Sequence, residues 1–487
     1  MPFNMLSLPA GIDRLDDEIG VRVANAVCSH HARRLRNLGK HALEAPPGGW
    51  AEDATPPRLG NRLDVLVDGE QLFDTLLEEL AAARSHVHMT GWYMSPDFVL
   101  RHGDPPVVLR NLLADLAARV DVRILLWAGS PAPVFTPSRR DTARAAEELR
   151  AASPAVHVAL DPHERPLHCH HEKTVVIDDR VAFVGGIDLT ALSGDRLDTP
   201  SHPARAALGW HDVATRIEGP AVADVARHFA GRWTAVTGQP LAETEVPPPA
   251  GDVELQIVRT MPERMYPGED RGQFGILESY VRAIQAAQRF IYIESQYLWS
   301  PEIAAVLAGK LANPPDPRFR VVALLPARPK GGGDDTRGVL GELLSADAGA
   351  GRLLATTLAA RAGDAHDMIY VHAKVCIIDD AWLTIGSANL NDHSLFNDSE
   401  MNVVTHDPRA ARDTRLRLWS EHLERPAAEL TGDPCEVIDE LWRPIAEEQR
   451  ERLEEGRPLT HRLIRLPHVS RRTARLLGPL QGLLVDG

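Results

Sequence analysis

Cysteine is scarce: Cys28, Cys169, Cys376 and Cys435 are the only four in 487 residues. None stands in a C-x-x-C pair, so neither a disulfide framework nor a zinc ribbon is indicated, and the four read as small apolar fillers. No run of about 18 apolar residues occurs, so no transmembrane helix is expected. The opening MPFNMLSLPAGIDRLDDEIG lacks a basic region followed by a sustained apolar stretch, and a secretory leader is not expected either. These absences predict a cytoplasmic protein in a reducing compartment, peripheral to a membrane at most. Positive charge is also in deficit: 53 Lys and Arg against 68 Asp and Glu give a net charge of -15. A surface of that sign repels polyanions, so a bulk nucleic-acid binder is disfavoured, while a small phosphate ester held by local lysines is not. Aromatic residues make up only 5%, without the basic–aromatic stripe of a nucleic-acid groove.

What is present is an ordinary globular composition, 44% hydrophobic and 25% charged, in a chain too long for one core. Residues 1–60 are rich in Pro and Gly around EAPPGGWAEDATPPRLGN and read as an extended N-terminal arm. From residue 61 strands and amphipathic helices alternate. Leu72, Phe73, Leu76, Leu77 and Leu80 share one helical face, and VRILLW and VHVAL read as buried strands. The Pro-rich linker EVPPPAGD at 245–252 precedes a second series of the same kind. The division predicted is a lobe at 61–244, the linker, a lobe at 253–430 and a tail at 431–487. The tail carries Arg462, Arg465, Arg471, Arg472 and Arg475 among leucines that are expected to pack on the body. The fold class expected is α/β: two similar lobes, each a mixed β-sheet flanked by helices, related by pseudo-twofold symmetry and sharing one active site.

The two halves repeat one motif. HHEKTVVIDD places His171, Lys173 and Asp178; VHAKVCIIDD places His372, Lys374 and Asp379, 201 residues later. On a strand, residues two apart share a face, so each histidine and its lysine point the same way. The aspartates lie seven positions beyond the histidines, where the apolar run stops, and are expected to fix the hairpin as structural residues. Each hairpin leads into small residues, VGGIDLT and IGSANLN, which allow close backbone approach and present Asp188, Ser387 and Asn389. Two imidazoles, two ammoniums and flanking amides suit a tetrahedral phosphate ester. The cations stabilise charge on the non-bridging oxygens. One imidazole can attack phosphorus to give a phosphohistidine while the other shuttles the proton. No metal and no cofactor is required. His163, His168, His170 and His171 also cluster, but a lysine two residues from a histidine repels a cation, which disfavours zinc there.

These segments resemble the phospholipase D superfamily, whose pattern is His-x-Lys-x4-Asp in two copies. HHEKTVVIDDRVAFVGGIDLT with WHDVATRIEGPAVADVARHFAGRW is similar to the first half of eukaryotic-type phospholipases D. YVHAKVCIIDDAWLTIGSANLNDHSLFNDSEMNVV is similar to their second half, and IYIESQYL to the strand that opens it. The resemblance spans residues 62–425. It implies that His171 is the nucleophile and His372 the acid and base, with Lys173, Lys374 and Asn389 holding phosphoryl oxygens. Asp212 and Glu400 fall where relatives keep the acids that orient the catalytic histidines. Gln296 is expected to line the pocket. Asp188 stands where many relatives carry Asn. The activity implied is hydrolysis or exchange of a glycerophospholipid head group, yielding phosphatidic acid or a transphosphatidylated lipid. A cardiolipin synthase-like transferase and a metal-independent nuclease of the same superfamily are the alternatives. The expected partners are the phospholipid and a transient membrane surface, met by loops such as WYMSPDFVL (92–100) and AGSPAPVFTPSRR (128–140); no nucleic acid is expected.

Overall fold

The computed structural model describes residues 10–466 except 133–134, 166–167, 191, 193, 195, 205–208 and 329–332; for 10–21 and 333–335 it describes the backbone alone. Two seven-strand arrays follow the same order. In the first, Arg58–Val67 pairs with Val213–Glu218, then come Val181–Gly185, Lys173–Ile177, His86–Gly91, Asp121–Trp127 and Val156–Asp161. In the second, Val253–Met261 pairs with Glu400–Thr405, then come Trp382–Gly386, Val375–Ile378, Phe290–Glu294, Arg320–Leu324 and Leu353–Ala362. The last three strands of each array are parallel and are joined by helices; the others are antiparallel. That mixture gives an α/β fold of two like lobes.

Local chemistry accounts for the elements. The Asp68–Ala82 helix buries Leu72, Phe73, Leu76, Leu77 and Leu80, the stripe its 3.6-residue spacing predicts. The Arg139–Ala152 helix starts at a capping box, Ser138 with Asp141. The Val222–Thr237 helix stops at Gly238, whose φ of 71° lies in the left-handed region. The motif hairpins turn through Asp178–Asp179 (φ 55° and 51°) and Asp379–Asp380 (φ 56° and 52°). Successive left-handed residues match the twist of a tight hairpin, and aspartate tolerates that conformation better than most residues.

The lobes meet by backbone and by core. Arg58 and Asn61 pair with Leu255 and Val253, and Trp210–His211 runs parallel to Tyr370–Val371. Val176, Ala182, Val184 and Ile217 of the first lobe share an apolar cluster with Leu255, Ile257, Met401 and Val403 of the second.

Two expectations change. The segment read as an extended arm contains the helix Ala10–Asn37, which buries Leu35 in the second lobe's core. Its His31 and Arg34 reach Glu302 (2.7 Å) and Glu263 (2.6 Å), so Pro and Gly at 46–60 mark a connection, not the whole segment. The stretch WYMSPDFVL is not a lipid-facing loop: Trp92, Met94, Phe98 and Leu100 are buried. The Leu463–Arg465 strand pairs with Thr356–Leu358, and Arg462 donates to the carbonyls of Pro200 and Ser201. Arg471, Arg472 and Arg475 lie outside the described residues. No described helix is long and apolar enough to cross a membrane.

Candidate active site

Both motif strands are central in their arrays, and each motif histidine sits two or three residues before its strand. There it binds the other lobe in the same way. The His171 N–H donates to Ser399 O (2.9 Å), and the His372 N–H donates to His211 O (2.8 Å). The residue after each acceptor is a carboxylate. Glu400 Oε1 lies 3.0 Å from His171 Nδ1, and Asp212 Oδ2 lies 2.6 Å from His372 Nδ1. All four side chains are buried. Engaging Nδ1 orients each ring and selects its tautomer.

The environments of the two dyads differ in detail. Glu400 also accepts from Ser387 Oγ (2.5 Å) and Ser394 Oγ (2.6 Å). Burial pushes its carboxyl up to about 8, against the pull of Lys173 and the two hydroxyls. Asp212 is raised by burial against Lys374 and Arg196. In the first lobe Gly186 occupies the place that Ser387 has in the second, and a Cβ on Gly186 would collide with Asp212 Oδ1. The reading of Ser387 as a substrate contact therefore changes: its hydroxyl is engaged by Glu400, so it supports the dyad.

The lysines turn back on their own motifs. Lys173 Nζ donates to His171 O (2.6 Å), and Lys374 Nζ donates to His372 O. Lys173 also lies 3.1 Å from Asp188 Oδ2, while Asp188 Oδ1 accepts from Trp92 N. The Asp188 carboxylate is thus already paired with a cation and a backbone donor. On the second lobe Gln296 Oε1 accepts from Lys374 (3.3 Å) and Asn389 (3.4 Å), and Gln296 Nε2 donates to Tyr370 OH.

His372 senses both motifs. It is held well below the ordinary histidine range by burial first, then by Lys374, Arg196, Lys173 and His171. Lys173 and His171 belong to the first lobe, so the two motifs share one electrostatic site. Arg196 is the residue that the sequence reading missed. It is buried, its guanidinium lies 3.2 Å from the Trp210 ring centroid, and Nε and Nη1 have no hydrogen-bond partner among the described residues. Burial lowers it to about 10 despite Asp188, Asp212 and Tyr370. Its signal was one of only two arginines, Arg196 and Arg205, in the loop between the first hairpin and WHD.

Asp178 and Asp379 stand away from this group. Asp178 accepts from the N–H groups of Arg84, Ser85 and His86, and Asp379 from those of Gln288, Arg289 and Phe290. Each ties its hairpin turn to the start of the adjoining strand. The histidines near the first motif disperse: His163 Nδ1 meets Asp161, His168 meets His393, and His170 meets Ser399.

Known proteins are similar to this chain. A family model described as a cardiolipin synthase, phospholipase D-like domain matches residues 280–420. Phospholipase D A of Dictyostelium discoideum is 27% identical over 464 residues, covering 76% of this chain and 36% of that one. Phospholipase D2 of Bos taurus is 24% identical, covering 80% and 56%. The major cardiolipin synthase of Bacillus subtilis is 25% identical, covering 75% and 72%. The chain thus spans about a third to just over half the length of those two phospholipases D. The crystal structure of phosphatidylserine synthase from Haemophilus influenzae superposes with a TM-score of 0.51 at 14% identity, over 87% of this chain and 98% of that one, which is a likeness of fold. Carrying the doubled motif on a doubled sheet, and matched by these relatives across most of its length, the chain resembles members of the phospholipase D superfamily.

Proposed function

We propose that this chain is a phosphodiesterase and phosphatidyltransferase of the phospholipase D type, acting on the head group of a glycerophospholipid. The observation that carries the reading is the pair of crossed dyads, in which the Nδ1 of each motif histidine meets a carboxylate of the other lobe. In the first step His171 Nε2 attacks phosphorus, the bond from phosphorus to the head-group oxygen breaks, and His372 gives that oxygen its proton. In the second, His372 takes a proton from water or an alcohol as its oxygen attacks phosphorus and the P–N bond breaks. Water yields phosphatidic acid; an alcohol yields a new phosphodiester. If glycerol of a second lipid is the acceptor, the product is that of a cardiolipin synthase.

The depressed basicity of His372 fits this cycle. In the free site burial first, then Lys374, Arg196, Lys173 and His171, disfavour its protonation. A phosphodiester anion offsets that field, so the acid form is favoured when substrate is bound. Lys173, Lys374, Asn389 and Arg196 stabilise the non-bridging oxygens as charge develops. Contact with a bilayer surface is part of the same proposal.

The test is incubation of the full chain with phosphatidylcholine vesicles and ethanol, and separately with plasmid DNA, without added metal ions. Choline release with phosphatidylethanol supports the proposal. Nicked DNA with intact lipid overturns it in favour of the nuclease.

A further inference from the structure

Behind the Asp212–His372 dyad lies a second buried group that the proposed reaction does not use. Asp68 begins a helix of the first lobe, His202 and His211 follow the first motif, and Glu421 comes from the Pro408–Leu423 helix of the second lobe. One ligand-type atom from each lies within 4.8 Å of those from the other three. Nitrogen and oxygen alternate around the group. His211 Nδ1 is 3.0 Å from Asp68 Oδ1 and 3.3 Å from Glu421 Oε1; His202 Nε2 is 2.9 Å from Glu421 Oε1 and 3.5 Å from Asp68 Oδ2. Four ligands at zinc's usual distances in a tetrahedron are about 3.3 Å apart, in the middle of that range.

We propose that Asp68, His202, His211 and Glu421 form a structural site for one divalent transition cation, zinc by its donor set, which clamps the lobes together behind the active site. Three observations support it. Each histidine has its outer nitrogen on a further carboxylate: His202 Nδ1 is 3.1 Å from Asp198 Oδ2, and His211 Nε2 is 2.9 Å from Glu294 Oε2. Outer carboxylates of this kind orient metal-binding imidazoles and raise their basicity. Asp68 is fully buried, yet its Oδ2 accepts no hydrogen bond among the described residues. A buried carboxylate oxygen needs a partner. Finally, Asp68, Asp198, Glu294 and Glu421 bring four carboxylates into one enclosed network. Arg417, on the helix of Glu421, donates to Val65 O and Gln71 Oε1.

The site is coupled to the dyad through the backbone. Asp68 Oδ1 accepts from Asp212 N (3.2 Å), and the carbonyl of His211 accepts from His372 N. A cation there holds both members of the dyad in register. It takes no part in phosphoryl transfer, so its presence or absence is decided independently of the proposed activity.

The test measures metal directly. The full chain is expressed in zinc-containing medium, washed with EDTA to remove loosely held metal, and its content is read by plasma mass spectrometry. About one zinc per chain is expected. His202→Gln is expected to retain less than about a tenth of that. Because the variant tests folding as well as binding, the wild-type chain is also expressed with cobalt in place of zinc, where the visible bands of four-coordinate cobalt are expected. A folded wild-type chain holding less than about a tenth of an equivalent of any transition metal overturns the proposal. So does a folded His202→Gln chain with an undiminished metal content.

Discussion

Asp212 Oδ2 lies 2.6 Å from His372 Nδ1, although the two residues belong to different lobes and stand 160 positions apart. Glu400 returns the contact by holding His171 across the same interface. Each lobe thus supplies the imidazole of one dyad and the carboxylate of the other. Neither half by itself supplies both members of a motif-histidine dyad, so the lobe interface is part of the proposed catalytic machinery.

Asp212→Asn tests the orienting role. It preserves size but removes the charge that fixes the tautomer of His372 and stabilises its protonated form. The expected loss is roughly 10²–10⁴ in kcat, with KM changed little. Steady-state kinetics on a soluble short-chain phosphatidylcholine measure both. An equal loss confined to KM would remove Asp212 from the dyad role.

The two histidines are distinguished by trapping. Denatured in acid-free conditions during turnover, the wild-type chain is expected to retain phosphate on histidine. His171→Ala is expected to retain none, because the attacking nitrogen is gone. Should His171→Ala trap phosphate while His372→Ala does not, the nucleophile and the acid have been exchanged.

In the proposed mechanism Arg196 adds a third cation, beside Lys173 and Lys374, for the phosphoryl oxygens. Arg196→Gln is expected to lower kcat by roughly 10²–10³, as loss of an oxyanion donor does, and to weaken inhibition by vanadate. Arg196→Lys, which keeps the charge but not the planar fork, is expected to recover part of both. A merely structural arginine would change stability while leaving vanadate inhibition unaffected.

Glu400 gives stability a defined pH dependence. Burial raises its folded pKa to about 8, from an unfolded value of 4.5. Between these pH values the folded chain binds more protons than the unfolded chain, so this group makes stability fall as pH rises through the window, by at most about 1.4 kcal/mol per pH unit. Glu400→Gln removes that term. The stability of the variant relative to wild type is therefore expected to improve from pH 4.5 to pH 8, read from urea unfolding at each pH. A difference independent of pH would contradict the assignment.

Asp379 is a structural staple, accepting three backbone N–H groups at the entry to the Phe290–Glu294 strand. Asp379→Ala leaves those donors to solvent and is expected to lower stability by about 2 kcal/mol. Urea unfolding of the pair of proteins checks it.

Much of this was readable before the fold was known. Strand and helix positions follow from apolar spacing, because the pattern at Leu72–Leu80 or in VRILLW has only one economical burial. The doubled motif implied two like lobes, and lysine beside histidine implied an anionic centre. The N-terminal helix was obscured by the Pro and Gly that follow it. Trp92, Met94 and Phe98 were read as a loop because the turn residues around them concealed that their side chains pack inward. Ser387 was assigned to substrate because a sequence offers a hydroxyl without its direction; Glu400 takes it.

By itself the sequence determined the chemical inventory: two imidazole–ammonium pairs, the aspartates that turn their hairpins, and the carboxylates placed after them. These are local properties, set by residue type and by the two-residue period of a strand. Only the tertiary structure decided that Asp212 serves His372 and Glu400 serves His171, that Arg196 enters the same site, and that Asp68, His202, His211 and Glu421 meet behind it. Such partnerships join residues far apart in the chain, and they exist only when burial of the apolar faces of both sheets brings the two lobes together.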